Sequence, residues 1–143
     1  MSEAKPKVLF LCTGNSCRSQ MAEGWAKHLR ADDFDAWSAG VETHGLNPRA
    51  VAVMAEAGVD ISGHESTLVI DLLPIGFDLV VTVCDNARET CPIFPGDERQ
   101  IHHAFEDPPF LAQGSQTEEE ALEHYRRVRD EIREFVATLD PAT

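Results

Sequence analysis

Residues 12–19 of the chain, CTGNSCRS, bring a thiol, a guanidinium and a hydroxyl close together directly after the apolar run at 8–11. Five residues separate Cys12 from Arg18, and Ser19 follows at once. A strand-to-helix loop with an arginine suits a tetrahedral oxyanion, because the helix start offers unpaired N–H groups and the positive end of its dipole. The same field lowers the pKa of a thiol, so Cys12 is predicted to be a thiolate nucleophile. Ser19 would donate a hydrogen bond to that thiolate or to its leaving group.

Gly14 and Asn15 are the residues that would shape this loop. Both residue types adopt backbone angles that most others avoid, so they can curl the amides inward around an anion. Cys17 stands at the predicted helix start, where we expect it to pack rather than to react. The predicted oxyanion-binding residues are therefore Thr13, Gly14, Asn15, Ser16, Cys17 and Arg18.

Other uses of the cysteines fit the sequence less well. Cys12 and Cys17 form C-x4-C, which is not a common zinc spacing, and Cys84 and Cys91 are separated by six residues. The nucleotide-binding pattern G-x4-G-K-[ST] is absent. A simple turn would not need cysteine, arginine and serine at these offsets. The pattern therefore favours an anion-binding thiolate loop.

Hydrophobic periodicity predicts the strands and helices that must position the loop. Asn47 is predicted to cap a helix that has Pro48 at its first position and ends at Gly58. Thr117, with Glu120 three residues later, forms a predicted capping box. The predicted strands are 7–12, 34–38, 77–83 and 99–103, and the predicted helices are 17–30, 48–57, a short one after Cys84, and 117–139.

Alternating strands and helices, with strands that are apolar on both sides, predict an α/β fold with a parallel sheet and helices on both faces. Right-handed crossovers then favour an open, doubly wound sheet. In such sheets ligands bind beyond the carboxyl ends of the strands. Cys12 ends the first predicted strand and Cys84 the third, so both are predicted to lie at one edge.

Composition narrows the class of protein. The 143 residues fit one domain, 1–143, and the formal charge of −13 argues against general nucleic-acid or anionic-membrane binding. The N-terminal apolar run is too short for a secretory signal, and no stretch reaches the length of a membrane span. We therefore expect a cytoplasmic monomer whose thiols are kept reduced, with four cysteines that serve chemistry rather than a disulfide framework.

The stretch VLFLCTGNSCRSQMAEG resembles the low-molecular-weight tyrosine phosphatase superfamily, and more closely its thioredoxin-coupled arsenate reductase branch. The resemblance extends over nearly the whole chain, through SAGVETHGLNPRAV, GVDISGH, DLVVTVCDNARETCP, FEDPP and YRRVRDEI. It implies a four-stranded parallel sheet in the order 2-1-3-4 flanked by helices. It also implies arsenate as substrate, phosphate and sulfate as competing oxyanions, reduced thioredoxin as electron donor, and no tightly bound cofactor.

The resemblance assigns roles to individual residues. Cys12 is the nucleophile, Arg18 and the loop backbone cradle the oxyanion, and Asp107 of FEDPP is the general acid. Cys84 and Cys91 match two further redox cysteines, which implies a Cys12–Cys84 disulfide followed by a Cys84–Cys91 disulfide. A continuous helix would hold residues 84 and 91 about 10 Å apart, so we expect that segment to unwind on oxidation.

Some members of this branch bind potassium beside the loop, and Asn15, Glu23 and Ser38 match their ligands. Thr67 stands where those members carry an aspartate, so potassium is not a firm prediction here, although Glu65 offers a substitute carboxylate. His44 and His64 are further candidates for supporting the loop.

Two alternatives to arsenate reduction stay open at this stage. The first is phosphomonoester hydrolysis by the same loop, for which Cys84 and Cys91 would be unnecessary. Phosphatases of this superfamily usually carry an aromatic residue directly after the Asp-Pro pair, whereas here Pro109 precedes Phe110. The second alternative is a non-enzymatic thiol protein that binds oxyanions or metalloids, which would explain neither Asp107 nor the ordered cysteines.

Overall fold

The computed structural model describes residues 5–85 and 99–141. Parallel strands and helices alternate through most of this range, as the sequence predicts. No helix in the described ranges is long and apolar enough to cross a lipid bilayer. In chain order the elements are β1 Lys7–Cys12, α1 Arg18–Leu29, β2 Asp35–Gly40, α2 Pro48–Glu56, a 3-10 helix Val69–Ile75, β3 Leu79–Thr82, β4 Arg99–His102, α3 Pro108–Ala112 and α4 Glu118–Thr138.

The four strands form one parallel sheet in the order β2-β1-β3-β4, which confirms the predicted order 2-1-3-4. Leu11 at the centre is in register with Ala39 of β2 and Thr82 of β3. The Val83 N–H donates to the Leu11 carbonyl at 3.1 Å, so the ladder continues one residue beyond β3. Cys84 therefore follows directly at the edge where Cys12 ends β1.

Side chains that alternate along β1 divide the interior into two cores. Val8, Phe10 and Cys12 belong to the larger core, which takes its helical side chains from α1, α2 and α4. Leu9 and Leu11 belong to the smaller core on the other side, where side chains of the 3-10 helix pack against them. Both faces of the central strand are thus buried, which explains its continuous apolar run.

The ends of several elements differ from the predicted boundaries. β2 continues to Gly40, because its last residues still pair with the last residues of β1. β3 ends at Thr82, which leaves Cys84 two residues beyond the strand. The 3-10 helix and α3 were not predicted, since both are short and each contains a proline that hides its pattern. The helix predicted after Cys84 falls largely on 86–98, outside the described residues.

Both predicted helix caps are present. The Asn47 side chain accepts from the N–H groups of Arg49 and Ala50, and Thr117 accepts from Glu120 N–H. The Glu120 carboxylate, however, accepts from the N–H of Gln116 at 3.0 Å rather than from Thr117. The capping box therefore closes one residue earlier than the sequence pattern predicts.

Candidate active site

The loop between β1 and α1 is held from outside through its carbonyl oxygens. The segment after β2 donates three backbone hydrogen bonds to it. These run from Glu42 N–H to Thr13 O at 3.0 Å, from His44 N–H to Gly14 O at 3.1 Å, and from Asn47 N–H to Ser16 O at 2.9 Å.

Side chains and the first helical turn hold the remaining loop carbonyls. Ser66 donates through its hydroxyl to the carbonyls of Gly14 and Asn15, at 3.1 Å and 2.9 Å, and Met21 N–H donates to Cys17 O at 2.9 Å. Across a trans peptide, C=O and N–H point in opposite directions. Because each loop carbonyl points toward its hydrogen-bond donor, the N–H of the next residue points away from that donor. An anion cradle requires this arrangement.

Asn15 is the residue that bends the loop. Its φ of +49° lies in the left-handed region, and it is fully buried. Gly14 was expected to share that conformation, but its φ is not positive. A Cβ at Gly14 would lie 2.3 Å from Nδ1 of the exposed His44 ring, which would then have to move. The predicted conformation is confirmed for Asn15 but not for Gly14.

Arg18 and Asp107 come together although 88 residues separate them in the chain. Arg18 is buried at the first position of α1, and its Nη1 donates to the Phe105 carbonyl at 3.0 Å. Its Nη2 lies 3.6 Å from Asp107 Oδ1. Asp107 is the residue before α3, with a quarter of its side chain exposed. The arginine is thus fixed at one nitrogen while its fork faces a carboxyl group.

A cavity of about 420 Å³ opens above the loop. The loop forms its floor, and the segment after β2 and the start of α3 form its walls. That volume exceeds the volume of one tetrahedral oxyanion several-fold. The lining residues are Cys12, Thr13, Gly14, Asn15, Ser16, Cys17, Arg18, His44, Gly45, Leu46, Asn47, Pro48, Asp107 and Pro109.

The described cysteines differ in chemical state. Cys12 and Cys17 are buried and form no disulfide, whereas Cys84, also buried, is disulfide-bonded. Burial, reinforced by the nearby Asp107 carboxylate, raises the pKa of the Cys17 thiol far above its usual range. Cys17 is therefore held as a neutral thiol, which agrees with the prediction that it packs rather than reacts. Cys91 lies in 86–98, outside the described residues.

The residues matched to potassium ligands all make contacts within the protein. Asn15 Oδ1 accepts from Thr67 N–H at 2.7 Å, and Ser38 Oγ donates to Glu23 Oε1 at 2.5 Å. The Lys27 ammonium lies against the other Glu23 oxygen and supplies the positive charge there. The described residues contain no group of three or more His, Cys, Asp or Glu side chains arranged for a metal ion. These contacts do not fit a resident cation.

The other residues in that region give no replacement ligand set. Glu65, the substitute carboxylate that the sequence offers, is exposed, and its backbone carbonyl accepts a hydrogen bond from Gln20. His64 lies behind the loop, with its Nδ1 3.0 Å from Gln20 Oε1. We therefore derive no step through potassium.

Sequence reasoning missed several residues that support the loop. Ser66 donates to two carbonyls of the loop, and Gln20 is fully buried against Asn15 and His64. Asn47, predicted as a helix cap, also donates through Nδ2 to the hydroxyl of Tyr125 at 3.1 Å. The available signal for Gln20 was its place beside Ser19 in the first turn of α1, where a buried polar side chain needs partners.

The sequence and the fold of this chain are similar to those of known proteins. The family model "Low molecular weight phosphotyrosine protein phosphatase" matches residues 7–142. An arsenate reductase of Bacillus subtilis is 50% identical over 92% of this chain and 95% of its own. An arsenate reductase of Halalkalibacterium halodurans is 48% identical over 94% of both chains. A solved structure described as an arsenate reductase in oxidized state is 35% identical, with a TM-score of 0.75 over 93% of this chain and 95% of its own.

Proposed function

The chain belongs to the low molecular weight phosphotyrosine protein phosphatase family, and we propose that it acts as an arsenate reductase with Cys12 as its nucleophile. One observation carries this proposal: Cys12, at the start of the loop after β1, forms no disulfide, while Cys84 beyond the neighbouring strand is disulfide-bonded. Ester hydrolysis requires no second cysteine, whereas reduction of a bound oxyanion consumes two thiols. The relatives named arsenate reductases support the same reaction.

In this proposal arsenate binds with three oxygens toward the loop amides and the fork of Arg18. Because the protein has a formal charge of −13, the anion must be attracted by this local pocket against the overall field. The outer hydrogen bonds to the loop carbonyls fix the amides in advance, so binding requires little reorganisation. Phosphate and sulfate have the same shape and would compete for the site.

The first chemical step is attack of the Cys12 thiolate on arsenic. An S–As bond forms and the bond from arsenic to one of its hydroxyl groups breaks, and that hydroxyl leaves as water when Asp107 supplies one proton. Asp107 stands at the wall of the cavity, 3.6 Å from Arg18 Nη2, so it faces the group that would hold the substrate. Ser19 stabilises the thiolate through its hydroxyl.

The second step transfers electrons to arsenic. The Cys84 thiolate attacks the Cys12 sulfur, and the S–As electron pair stays on arsenic, which leaves as arsenite. The product is a Cys12–Cys84 disulfide, formed between the ends of neighbouring strands. Cys91 then attacks Cys84, which restores the Cys12 thiolate and moves the disulfide to Cys84–Cys91.

Reduced thioredoxin closes the cycle by thiol–disulfide exchange with that last disulfide. A disulfide at Cys84, with Cys12 in no disulfide, is the pattern expected at the end of the cascade, and it supports this order of events. Thioredoxin is itself kept reduced in the cytoplasm, which is the compartment that the cycle requires.

A coupled assay tests the proposal. The protein is incubated with arsenate, thioredoxin, thioredoxin reductase and NADPH, and NADPH loss is followed for wild type, Cys12→Ser, Cys84→Ser and Cys91→Ser. We expect turnover in the wild type and none above background in the three variants. Full turnover by Cys84→Ser or Cys91→Ser would contradict the cascade.

Two controls separate the parts of the proposal. Replacing thioredoxin by glutathione and glutaredoxin should stop recycling, so turnover with that pair would reassign the electron donor. A single-turnover measurement of arsenite without any donor should give one arsenite per reduced wild-type protein. It should give none with Cys84→Ser, because the thiol that attacks the Cys12 sulfur of the S–As adduct is then missing.

Phosphomonoester hydrolysis is the second candidate. It is favoured by the volume of the cavity, which leaves room for an organic group above the oxyanion. It uses Cys12, Arg18 and Asp107 but neither Cys84 nor Cys91. Release of p-nitrophenol from p-nitrophenyl phosphate should therefore survive Cys84→Ser and stop in Cys12→Ser. Loss of hydrolysis in Cys84→Ser would exclude this route.

A further inference from the structure

Gln20 is a buried polar residue to which the reaction described above assigns no role. It lies in the first turn of α1 and is completely buried. Its Nε2 donates to Asn15 O and Asn15 Oδ1, both at 3.1 Å, and to Glu65 O at 3.0 Å. Its Oε1 lies 3.0 Å from His64 Nδ1. Every polar atom of the side chain is therefore used, which fixes the orientation of the amide.

These contacts define the direction of each hydrogen bond. A carboxamide oxygen has no hydrogen, so His64 must donate through Nδ1 to Gln20. Gln20 in turn donates to Asn15 Oδ1, which also receives Thr67 N–H at 2.7 Å. With its oxygen turned to these two donors, Asn15 presents Nδ2 to Ser19 Oγ at 2.9 Å. The hydroxyl of Ser19 thus accepts from Asn15 and keeps its own hydrogen for another acceptor.

We propose that Gln20 is a positioning residue for the nucleophile, because it sets the direction of a hydrogen-bond chain from His64 through Asn15 to Ser19. The chain leaves the Ser19 hydroxyl hydrogen to be donated to the Cys12 thiolate. This inference rests on the proposed role of Cys12 as nucleophile. If the Asn15 amide were reversed, its oxygen would accept the Ser19 hydrogen and the thiolate would lose that donor.

Gln20 also supports the strained point of the loop. Asn15 has a φ of +49°, a conformation that costs free energy for a residue other than glycine. Gln20 donates to both its main-chain and its side-chain oxygen, so one amide group holds the conformation and the side-chain direction together. Burial lowers the pKa of His64, whereas the Glu23 carboxylate, whose Oε2 lies 3.9 Å from His64 Nε2, raises it. Nδ1 can donate to Gln20 both in the neutral Nδ1–H tautomer and in the cation.

The test measures the reactivity of Cys12 directly, in a Cys84→Ser/Cys91→Ser background that removes the other reactive thiols. Alkylation of Cys12 by iodoacetamide is followed by peptide mass spectrometry as a function of pH. For Gln20→Met and Gln20→Glu we expect the midpoint of the profile to rise by about one pH unit, which corresponds to about tenfold slower alkylation below it. Gln116→Glu, on the exposed loop before α4, is the charge control and should leave the profile unchanged.

The other charged or titratable groups around the cavity are the same in all these proteins. They are Arg18 at the start of α1, Asp107 before α3, His44 after β2, and Cys17 in the loop itself. A difference between profiles therefore reports the substituted position.

A double-mutant cycle separates positioning from simple structural support. In a Ser19→Ala background, Gln20→Met should produce no further shift, because the donor that it orients is already gone. An undiminished second shift would overturn the proposal. A purely structural role would lower the thermal unfolding midpoint and the affinity for inorganic phosphate while leaving the alkylation midpoint in place, and that result would also overturn it.

A measurement on the unsubstituted chain covers the case in which the Gln20 variants do not fold. In ¹⁵N-labelled protein the side-chain NH₂ protons of Gln20 and Asn15 should exchange with solvent at least about 10²-fold more slowly than those of Gln116. Equal exchange rates would refute the chain of hydrogen bonds. None of these measurements uses arsenate, so a failure of the proposed reduction and a failure of this inference are distinguishable.

Discussion

The two cysteine-bearing strand ends of the sheet are fixed by different means. Beyond Cys12, the chain forms a loop whose carbonyls accept hydrogen bonds from residues that follow it in the sequence, from Met21 to Ser66. Beyond β3, Val83 keeps the backbone in the sheet through two bonds, donating to Leu11 O at 3.1 Å and accepting from Phe105 N–H at 3.2 Å. The first end is a loop held by backbone and side-chain donors from other segments. The second end continues the register of the sheet up to Cys84.

This difference suits the two roles proposed for the cysteines. An oxyanion cradle is effective when its donors are already in place before the substrate arrives. A cysteine that exchanges disulfide partners must instead reach two different sulfur atoms in turn. The two ends are nevertheless linked, because Phe105 donates to Val83 and accepts from Arg18 Nη1 at 3.0 Å.

Cys12→Ser gives the largest expected effect and changes only the strand end that carries the loop. Arsenate turnover should fall about 10³-fold or more, because the alcohol is not ionised at neutral pH and cannot carry the redox step. The disulfide at Cys84 should still be reduced by thioredoxin, as measured by thiol titration before and after the reaction. If reduction at Cys84 also failed, the two strand ends would not be separable in function.

Arg18→Lys should reduce the affinity for inorganic phosphate by about 10²-fold, measured by isothermal titration calorimetry. A lysine offers a point charge instead of a fork, and it cannot hold the Phe105 carbonyl and an oxyanion in the same geometry. Arg126→Lys is the matched control on the exposed face of α4, where it pairs with Glu56. It should leave phosphate affinity unchanged. Equal losses in both variants would show that general charge, rather than the fork, governs binding.

The parallel sheet follows from sequence because continuous apolar runs and alternating helices leave few arrangements. Its strand order is what the family resemblance implies. Val8 and Leu9 face different cores and are both apolar, which is the signature of a central parallel strand. The short elements were less predictable. The 3-10 helix around Pro74 is defined by its packing on the smaller core, not by a local pattern.

The groups proposed to react follow from their spacing in the sequence, whereas the residues that support them do not. Cys12 and Arg18 lie at a fixed offset across one loop, so their meeting is a local property. Ser66 and Gln20 hold the same loop, but Ser66 reaches it across 51 residues of sequence. Gln20 is local, yet its partner His64 is 44 residues away. A single sequence carries no mark of such pairs, since each of these residue types is common on surfaces.

Tyr125→Phe should weaken the cradle from the side of α4. The Tyr125 hydroxyl accepts from Asn47 Nδ2 at 3.1 Å, and Asn47 N–H supports Ser16 O. Loss of the hydroxyl leaves a partly buried amide hydrogen unpaired, so we expect about 1–2 kcal/mol less stability in urea unfolding. Phosphate affinity should fall about fivefold by calorimetry, since part of that loss disturbs the loop.

The control for that substitution is Phe135→Leu, also on α4, where the ring packs against Phe105 and His103 rather than against the cap of α2. It should reduce stability without the loss of cradle support at Ser16. A similar fall in phosphate affinity for both variants would mean that α4 acts on the loop through packing, not through Asn47.

The smallest expected effect concerns the link between the two ends. If Phe105 transmits displacement from Val83 to Arg18, then phosphate affinity should differ about threefold between the reduced and the oxidised protein, because a change at Cys84 shifts the carbonyl that holds the guanidinium. Calorimetry with and without dithiothreitol measures this, and Cys84→Ser should bind phosphate equally under both conditions. Identical affinity in the wild type would mean that the cradle is insulated from the redox state. Because coupling is reciprocal, phosphate should then also leave the reduction potential of the Cys84 disulfide unchanged.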